Sequence, residues 1–134
     1  MVSSIDIVQR FLQHVFAGEM DQALGLTTDE TKYISTRPVP DVNMPTYGTF
    51  IGYAGAQHFF GQFAEMLVPG DFVVESAFSE GEHVAMYGSL CHLSRHTGKE
   101  FASDWAMICR VKEGRIALYH FYEDTAALER AIHP

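Results

Sequence analysis

The chain has 134 residues, 47% of them hydrophobic and 19% charged, which is enough for one packed core and too few for two independent domains. Seventeen acidic residues against nine Lys and Arg give a net charge of −8, which argues against nucleic acid or an anionic membrane as a partner. Ten Phe, six Tyr and one Trp exceed what a small core needs. We therefore expect a single domain over residues 1–134 with a further use for its aromatic side chains.

The expected location is the cytoplasm. Residues 1–16 lack the basic start, continuous apolar run and cleavage site of a signal peptide. No stretch approaches 18 apolar residues, so we expect no membrane span. Two cysteines, Cys91 and Cys109, are too few for a disulfide scaffold and are expected to stay reduced.

The first part of the chain is predicted to be helical. Ser3 and Asp6 resemble a capping box, and Gly18 suits the end of that first helix. A short second helix over about 19–26 and a short strand over about 31–36 are expected to follow. Apolar positions at helical spacing predict the first helix.

A loop and a third helix come next. Residues 37–50 contain three prolines and no periodicity, and a loop of this length often serves as a lid. Apolar residues at helical spacing predict a helix over about 53–67, which Pro69-Gly70 ends.

The second half is predicted to be an antiparallel meander followed by a helix. Gly-containing pairs, Glu80-Gly81, Thr97-Gly98 and Glu113-Gly114, are typical of two-residue hairpin turns. They separate strands at about 71–79, 82–95, 100–112 and 115–124, and a last helix covers about 125–132. The order α-α-β-α-β-β-β-β-α predicts an α+β fold.

Two-residue turns would fix which residues face each other across the hairpins. On that register, an inner, mainly apolar face carries Met86, Leu90, Trp105, Met107, Cys109 and Leu118. The opposite face carries Tyr87, Cys91, Asp104, Arg110 and Tyr119, and this half-apolar outer surface predicts a homodimer. A single β-bulge would reverse part of the assignment.

The same register places polar side chains on the inner face. His92, Ser103 and Asp124 form one row across three strands, and Tyr122 and His120 lie in the next rows. Isolated buried polar groups cost stability, so their presence on an inner face favours a ligand-binding or catalytic role.

Three segments carry a family resemblance. They are Val8-Gln9-Arg10-Phe11 through Ala17-Gly18-Glu19, the helix start Phe50-Ile51-Gly52-Tyr53-Ala54-Gly55-Ala56, and Glu113-Gly114-Arg115-Ile116 leading into Tyr122-Glu123-Asp124-Thr125-Ala126-Ala127-Leu128. In their order and spacing, over essentially the whole chain, they resemble the SnoaL-like and ketosteroid-isomerase-like branch of the nuclear transport factor 2-like superfamily. The resemblance implies a cystatin-like roll: a curved antiparallel sheet wrapped around the N-terminal helices as a cone, with an apolar pocket inside and dimerisation through the outer sheet face.

The family includes isomerases, cyclases, epoxide hydrolases, dehydratases and proteins without chemistry, so the fold does not settle the function. The family's ketosteroid isomerases use a Tyr and two Asp, where this chain has Phe11, Ser35 and Met107, which argues against that activity. The hydrolases use an Asp-Arg-Asp cluster inside the pocket, but Asp104 and Arg110 are predicted to face outward. SnoaL-type cyclases use an acidic residue near the end of the last strand.

Asp124 matches that last position and is the first candidate for a catalytic base; Asp is equally a favoured helix N-cap. His92 and His120 are candidates for acid, base or hydrogen-bond donor, or are hydrogen-bonded parts of the structure. A Ser-His-Asp triad with Ser103 lacks a nucleophile elbow. His92 and His96 lie four residues apart, about 13 Å on a strand, so no metal is expected.

The first functional hypothesis is a cofactor-independent enzyme that moves a proton on a mostly apolar carbonyl compound, as an isomerase, cyclase or dehydratase does. The second is a non-catalytic dimeric module that binds a small ligand in the same pocket. The predicted ligand-binding residues are Phe11, Tyr33, Phe60, Phe63, Leu90, Ser103, Trp105, Met107 and Tyr122.

Overall fold

A computed structural model describes residues 2–134. Four helices and six strands follow one another along the chain: α1 (Ser4–Phe16), α2 (Met20–Leu24), β1 (Thr27–Ser35), β2 (Thr49–Ile51), α3 (Gly52–Met66), β3 (Leu67–Glu80), β4 (His83–Ser94), β5 (Glu100–Lys112), β6 (Arg115–Glu123) and α4 (Thr125–Ile132). The bounds of β5 and α4 are those predicted from the sequence.

Local capping explains where the first and last helices begin. The Ser3 hydroxyl accepts a hydrogen bond from the Asp6 backbone N–H at the start of α1, and the Asp124 carboxylate accepts one from the Ala127 N–H at the start of α4. Each cap satisfies a backbone donor that the first helical turn leaves free. Both N-caps are confirmed.

All six strands form one curved sheet in the order β2-β1-β6-β5-β4-β3. Strands β3 to β6 are the predicted antiparallel meander, and β1 joins it parallel to β6. The helices cover the inner face, where the hydrophobic core lies. This arrangement confirms the predicted α+β fold and its cone.

The sequence prediction missed β2. Its three residues lie at the end of the predicted 37–50 loop and pair antiparallel with Lys32–Ile34 of β1. Three residues are too few to display the alternation that identifies a strand. The element order therefore contains one strand more than predicted.

The turns differ in part from the prediction. Glu113 and Gly114 form the expected two-residue turn between Lys112 and Arg115, both with positive φ. The Thr97-Gly98 turn is instead a four-residue loop over 95–98, closed by the Ser94 N–H donating to Lys99 O. This shifts the β4–β5 pairing by two residues, so the predicted pairs are wrong. A shift of two preserves the face of every side chain, and the inward and outward assignments on β4 and β5 are confirmed.

Strand β6 required a larger correction. A β-bulge opposite Arg110 and Val111 makes Cys109 pair with Tyr119 rather than with Leu118. Because one extra residue reverses the faces of a strand, the inward prediction for Leu118, His120 and Tyr122 is wrong. Tyr119, Phe121 and Glu123 face inward in their place.

The long loop does not act as a cavity lid in this structure. Met44 and Tyr47 are buried, and the Tyr47 hydroxyl donates a hydrogen bond to Glu129 Oε2 on α4 at 3.3 Å. None of residues 36–48, all of which the structure describes, lines the cavity that lies between the helices and the inner sheet face. Packing of the loop's own side chains against α4 holds it in place.

The outer sheet face carries exposed apolar side chains, among them Phe78, Tyr87 and Ile108. Cys91 lies on this face and Cys109 on the inner one, and both thiols are free. The predicted homodimer through this face stays a prediction. Among the described residues, no helix is both long and apolar enough to cross a membrane.

The buried hydroxyl of Tyr33 lowers the stability of the fold, and a substitution can measure by how much. Its side chain is fully buried, and its hydroxyl has no hydrogen-bond partner. The neighbouring hydroxyls of Thr27 and Thr31 donate to the carbonyls of Leu24 and Ile116, and neither completes a bond to Tyr33. Burial raises the pKa of Tyr33. The Thr27 and Thr31 hydroxyls are near enough to oppose that shift, but neither has the geometry of a hydrogen bond to Tyr33.

We expect Tyr33→Phe to raise the free energy of unfolding by about 1 kcal/mol, because it removes an unsatisfied buried polar group without changing the packing. Urea unfolding followed by circular dichroism measures this. The matched control is Tyr47→Phe, which removes a hydroxyl that has a partner in Glu129 and should lower stability by about 0.5–1.5 kcal/mol. Equal losses in both variants would contradict the prediction.

Candidate active site

A cavity of about 500 Å³ lies between the helices and the inner sheet face, within the range usual for small-molecule sites. Its walls come from α1, α2, α3, β3, β4 and β6. The lining residues are Leu12, Val15, Phe16, Met20, Gln57, Phe59, Phe60, Gly61, Phe63, Ala64, Leu67, Pro69, Phe72, Leu90, His92, Tyr119, Phe121 and Glu123.

Aromatic rings form much of this wall, which accounts for part of the aromatic surplus. Phe72 and Trp105 stack with centroids 4.6 Å apart and planes 13° apart, and Phe121 stacks on Trp105 at 5.5 Å. Phe16 lies at the edge of the cavity, where it is 57% exposed. Its ring centroid is 4.8 Å from that of Phe72. The interior is therefore suited to an apolar molecule.

Glu123 is the carboxyl group on the cavity wall. The bulge in β6 turns its side chain inward, and the Ser35 hydroxyl donates to its Oε1 at 3.4 Å. Burial raises the pKa of Glu123 to about 7, although the hydrogen bond from Ser35 opposes the shift. Near neutral pH the carboxyl thus exchanges between its acid and its basic form, which suits a proton-transfer group.

His92 is the imidazole on the cavity wall. Its Nδ1 accepts a hydrogen bond from the Gly70 backbone N–H at 2.8 Å, so the proton of the neutral ring is on Nε2. Burial lowers the pKa of His92, although the charge of Asp71 opposes the shift. A neutral ring with Nε2–H as a donor can hydrogen-bond a ligand oxygen.

Gly70 allows this contact because it has no side chain. A Cβ at this position would lie 2.2 Å from Cys91 O, in a segment where the β3–β4 pairing shifts register between Val68 and Asp71. The bulge and the missing side chain together bring the Gly70 N–H to the imidazole. The backbone of β3 therefore sets the tautomer of His92.

The structure divides the predicted site residues into four groups. Those that line the cavity are His92, Phe60, Phe63 and Leu90. Those buried in the core behind it are Phe11, Tyr33, Trp105 and Met107. Those on the outer face are His120 and Tyr122, and those beside the cavity at the start of α4 are Ser103 and Asp124.

The predicted polar row across three strands does not exist. His92 pairs with Phe101, and Ser103 pairs with Leu90. The Ser103 hydroxyl accepts a hydrogen bond from the Asp124 backbone N–H at 3.0 Å, while the exposed Asp124 carboxylate caps α4. These residues serve the strand-to-helix junction, and they do not form a triad with His92.

His120 and Tyr122 pair on the outer face. Their rings stack at 4.0 Å, and the Tyr122 hydroxyl lies 3.0 Å from His120 Nδ1. The prediction that both face the pocket is wrong because of the bulge in β6.

Sequence reasoning missed Glu123 as a site residue. A usable signal was present, since one parity of β6 contains Tyr119 and Phe121 and the other contains His120 and Tyr122. The more apolar parity belongs on the core face, and it ends at Glu123. The register of an unbulged hairpin assigns Asp124 to this face instead.

Among residues 2–134, no three His, Cys, Asp or Glu side chains cluster as metal ligands do. The polar groups that face the cavity, Gln57, His92, Tyr119 and Glu123, are instead suited to hydrogen bonds and to proton transfer.

Solved structures identify the class of fold. An NTF2-like protein from Burkholderia xenovorans superimposes with a TM-score of 0.85 over 97% of this chain and 95% of its own, at 22% identity. TerC, co-crystallised with polyporic acid, superimposes with a TM-score of 0.83 over 96% of this chain and 97% of its own, at 15% identity. The chain therefore has the NTF2-like fold.

Sequence comparison gives the family. The family model of the SnoaL-like domain matches residues 8–119, so the chain belongs to the SnoaL-like domain family. Patulin synthesis protein F from Aspergillus clavatus is 33% identical over 107 residues, which are 75% of this chain and 54% of that protein. The chain thus spans about half the length of this curated relative.

Proposed function

We propose that the protein is a small enzyme that transfers a proton on a mostly apolar carbonyl compound, with Glu123 as the base. The observation that carries this proposal is a carboxyl group with a pKa of about 7 on the wall of an aromatic cavity. A base with a pKa near the working pH combines a large ionised fraction with strong basicity. Glu123 thereby takes the role that the sequence assigned to Asp124.

His92 completes the chemistry. Removing a proton from the carbon next to a carbonyl places negative charge on the carbonyl oxygen, which a hydrogen-bond donor stabilises. His92 lines the same cavity as Glu123, two strands away and four residues further along the sheet. Its neutral Nε2–H, left free because the Gly70 N–H occupies Nδ1, is therefore the proposed donor to a substrate oxygen that is conjugated with the carbon that Glu123 deprotonates but remote from it. The protonated Glu123 then gives the proton to another carbon of the enolate in an isomerase-type reaction, or to a β-hydroxyl that leaves as water in a dehydratase-type reaction. In a cyclase-type reaction the enolate carbon first attacks a second carbonyl carbon of the substrate, and the alkoxide formed there takes the proton. None of the three needs a cofactor.

Two similarities support a small organic substrate. The name of the Aspergillus clavatus relative refers to patulin synthesis, and TerC has the same fold and was co-crystallised with polyporic acid. Both concern small molecules, in agreement with the size and lining of the cavity. We accordingly propose a mostly apolar small molecule as the partner of this chain.

Exchange of α-hydrogens in deuterium oxide tests the proposal without knowledge of the natural substrate. Acetophenone, 1-indanone and 1-tetralone are apolar ketones small enough for the cavity, and mass spectrometry measures their deuterium uptake. We expect the protein to accelerate uptake, and Glu123→Gln to lose about 100-fold or more of that acceleration, since general base catalysis supplies about 10²–10⁴-fold.

The matched control is Asp124→Asn. Asn is as good an N-cap as Asp, so this variant should keep the rate within about threefold. Binding of the ketones without any exchange would favour the non-catalytic binding module instead. Loss of exchange in Asp124→Asn but not in Glu123→Gln would return the role of base to Asp124.

A further inference from the structure

Thr36, which follows the end of β1, has an unusual backbone conformation. Its φ is +59°, a region that β-branched residues rarely adopt. The Arg37 N–H donates to Ser35 O at 2.6 Å, which closes a tight three-residue turn around Thr36. Such strain persists only where surrounding contacts impose it, and it is concentrated at functional sites.

Those contacts all come from the end of β6. The Thr36 N–H donates to Phe121 O at 2.7 Å, and the Thr36 carbonyl accepts from His120 Nε2 at 3.3 Å. The Thr36 hydroxyl accepts a hydrogen bond from the Glu123 N–H at 3.2 Å. Every polar atom of Thr36 is therefore bonded to the four-residue span 120–123, which ends at Glu123.

Glu123 is consequently held at two points by consecutive residues. The Thr36 hydroxyl binds its backbone N–H, and the Ser35 hydroxyl binds its carboxyl group. Glu123 is the last residue of β6 and pairs with Trp105 of β5 on one side, so Ser35 and Thr36 supply its contacts on the other side. On the outer face, the Tyr122 hydroxyl hydrogen-bonds Nδ1 of His120. This contact orients the His120 ring so that its Nε2–H reaches the Thr36 carbonyl.

We propose that Thr36 is a positioning residue that keeps the Glu123 carboxyl on the cavity wall. The inference rests on the function proposed above, because it concerns the same carboxyl group. The strained turn places the Thr36 hydroxyl where β6 ends, and the released energy of three hydrogen bonds offsets the strain. Without the hydroxyl, Glu123 loses the backbone contact on its β1 side, and its carboxyl group turns toward water.

The test compares Thr36→Val, which removes only the hydroxyl at nearly unchanged shape, with Thr36→Ser, which keeps it. Carbon-13 NMR of protein labelled at the glutamate carboxyl carbons measures the pKa of Glu123, assigned from the signal missing in Glu123→Gln. We expect the pKa of Glu123 to fall by about one pH unit in Thr36→Val, because a carboxyl that reaches water loses its desolvation. Thr36→Ser should keep the pKa of the parent protein.

Two further measurements keep the test decisive. Thr36→Gly adopts φ +59° without strain and also lacks the hydroxyl, so it gives the same comparison if Thr36→Val does not fold. The pH midpoint of ketone exchange should move with the pKa of Glu123. A Thr36→Val or Thr36→Gly protein with reduced thermal stability but an unchanged pKa of Glu123 would overturn the inference. The NMR comparison decides this even if Glu123→Gln retains exchange and the proposed function fails.

Discussion

Glu123→Gln should stabilise the protein above pH 7 by about 2–3 kcal/mol and leave its stability unchanged below about pH 4.5. The ordinary pKa of this carboxyl is 4.5, and burial raises it to about 7 in the folded state. Each pH unit between these values corresponds to about 1.4 kcal/mol, or about 3.5 kcal/mol for the whole shift. Glu123 is only half-buried, and screening by water reduces the expected effect to about 2–3 kcal/mol. Gln imitates the neutral carboxyl group in size and never ionises, so it avoids the cost of burying a charge.

The sign follows from proton binding. Between pH 4.5 and 7 the folded protein holds a proton on Glu123 that the unfolded chain releases, so the stability of the parent protein falls as pH rises through this window. Glu123→Gln lacks that loss. The difference between the two proteins should therefore grow from about pH 4.5 and level off above pH 7.

Urea unfolding at pH 4, 5.5, 7 and 8.5 measures the effect in both proteins. The lowered pKa of His92 acts in the opposite direction, but it is common to both proteins and cancels in the difference. Asp104→Asn, at an exposed carboxylate on the outer face, is the matched control and should show no comparable trend. A pH-independent difference for Glu123→Gln would show that this carboxyl has an ordinary pKa and would weaken its role as a base.

A gain in stability on removing the proposed catalytic group has a functional meaning. A fold selected for stability alone gains nothing from an ionisable group on an apolar wall. Stabilising substitutions at active sites are expected when the site is strained or desolvated for function. Loss of ketone exchange together with increased stability in Glu123→Gln would support both the role of Glu123 as the base and the raised pKa of its carboxyl group.

The limits of sequence reasoning lie in the sheet. Caps and glycine turns are local, so the start of α4 after Asp124 and the turn at Glu113-Gly114 were predictable. The bulge in β6 depends on its contact with β1, where Tyr33 pairs with Tyr119 in a parallel arrangement. No local sequence pattern near the bulge indicates this long-range pairing. The error of one residue then exchanged Glu123 for its neighbour Asp124.

Some of the residues that line the cavity were also not predicted from the sequence. His92, Phe60 and Phe63 were predicted and do line it, because spacing along α3 and parity along β4 locate them. Phe72 and Phe16 were not predicted. Phe72 lies on β3, which approaches the β4 backbone closely at Gly70 and Gly88, and Phe16 at the end of α1 packs against it. Both positions depend on long-range packing that the local sequence does not indicate.

Gly88→Ala should have the largest effect on stability, a loss of about 3 kcal/mol or more. Gly88 lies on β4 between Trp105 and Val74, and a Cβ there would lie 1.8 Å from the Val73 carbonyl oxygen. The obstructing atom belongs to the backbone, so no rotamer change relieves the clash. Strand β3 must move away, which breaks part of the β3–β4 ladder and overpacks the region.

Gly61→Ala is the matched control for the same chemical change. A Cβ at Gly61 meets nothing within 4 Å, and Ala is the better helix former by up to about 1 kcal/mol, so this variant should be slightly more stable. Circular dichroism and the fluorescence of Trp105, the one Trp of the chain, follow the unfolding of both variants. A Gly88→Ala protein within 0.5 kcal/mol of the parent by the usual criterion for neutral changes would mean that β3 relaxes without cost.

Gly88→Ala should affect the aromatic wall at Phe72 and Trp105 differently from the Glu123 carboxyl group. Displacing β3 moves Phe72 away from Trp105, against which it stacks with centroids 4.6 Å apart. The contacts that Ser35 and Thr36 make with Glu123 come from the β1 side of β6 and stay in place. We therefore expect a folded fraction of this variant to bind ketones more weakly while the pKa of Glu123 changes little. The apolar wall and the proposed proton-transfer group should respond separately, because Phe72 depends on the β3–β4 pairing and Glu123 on contacts from the β1 side of β6.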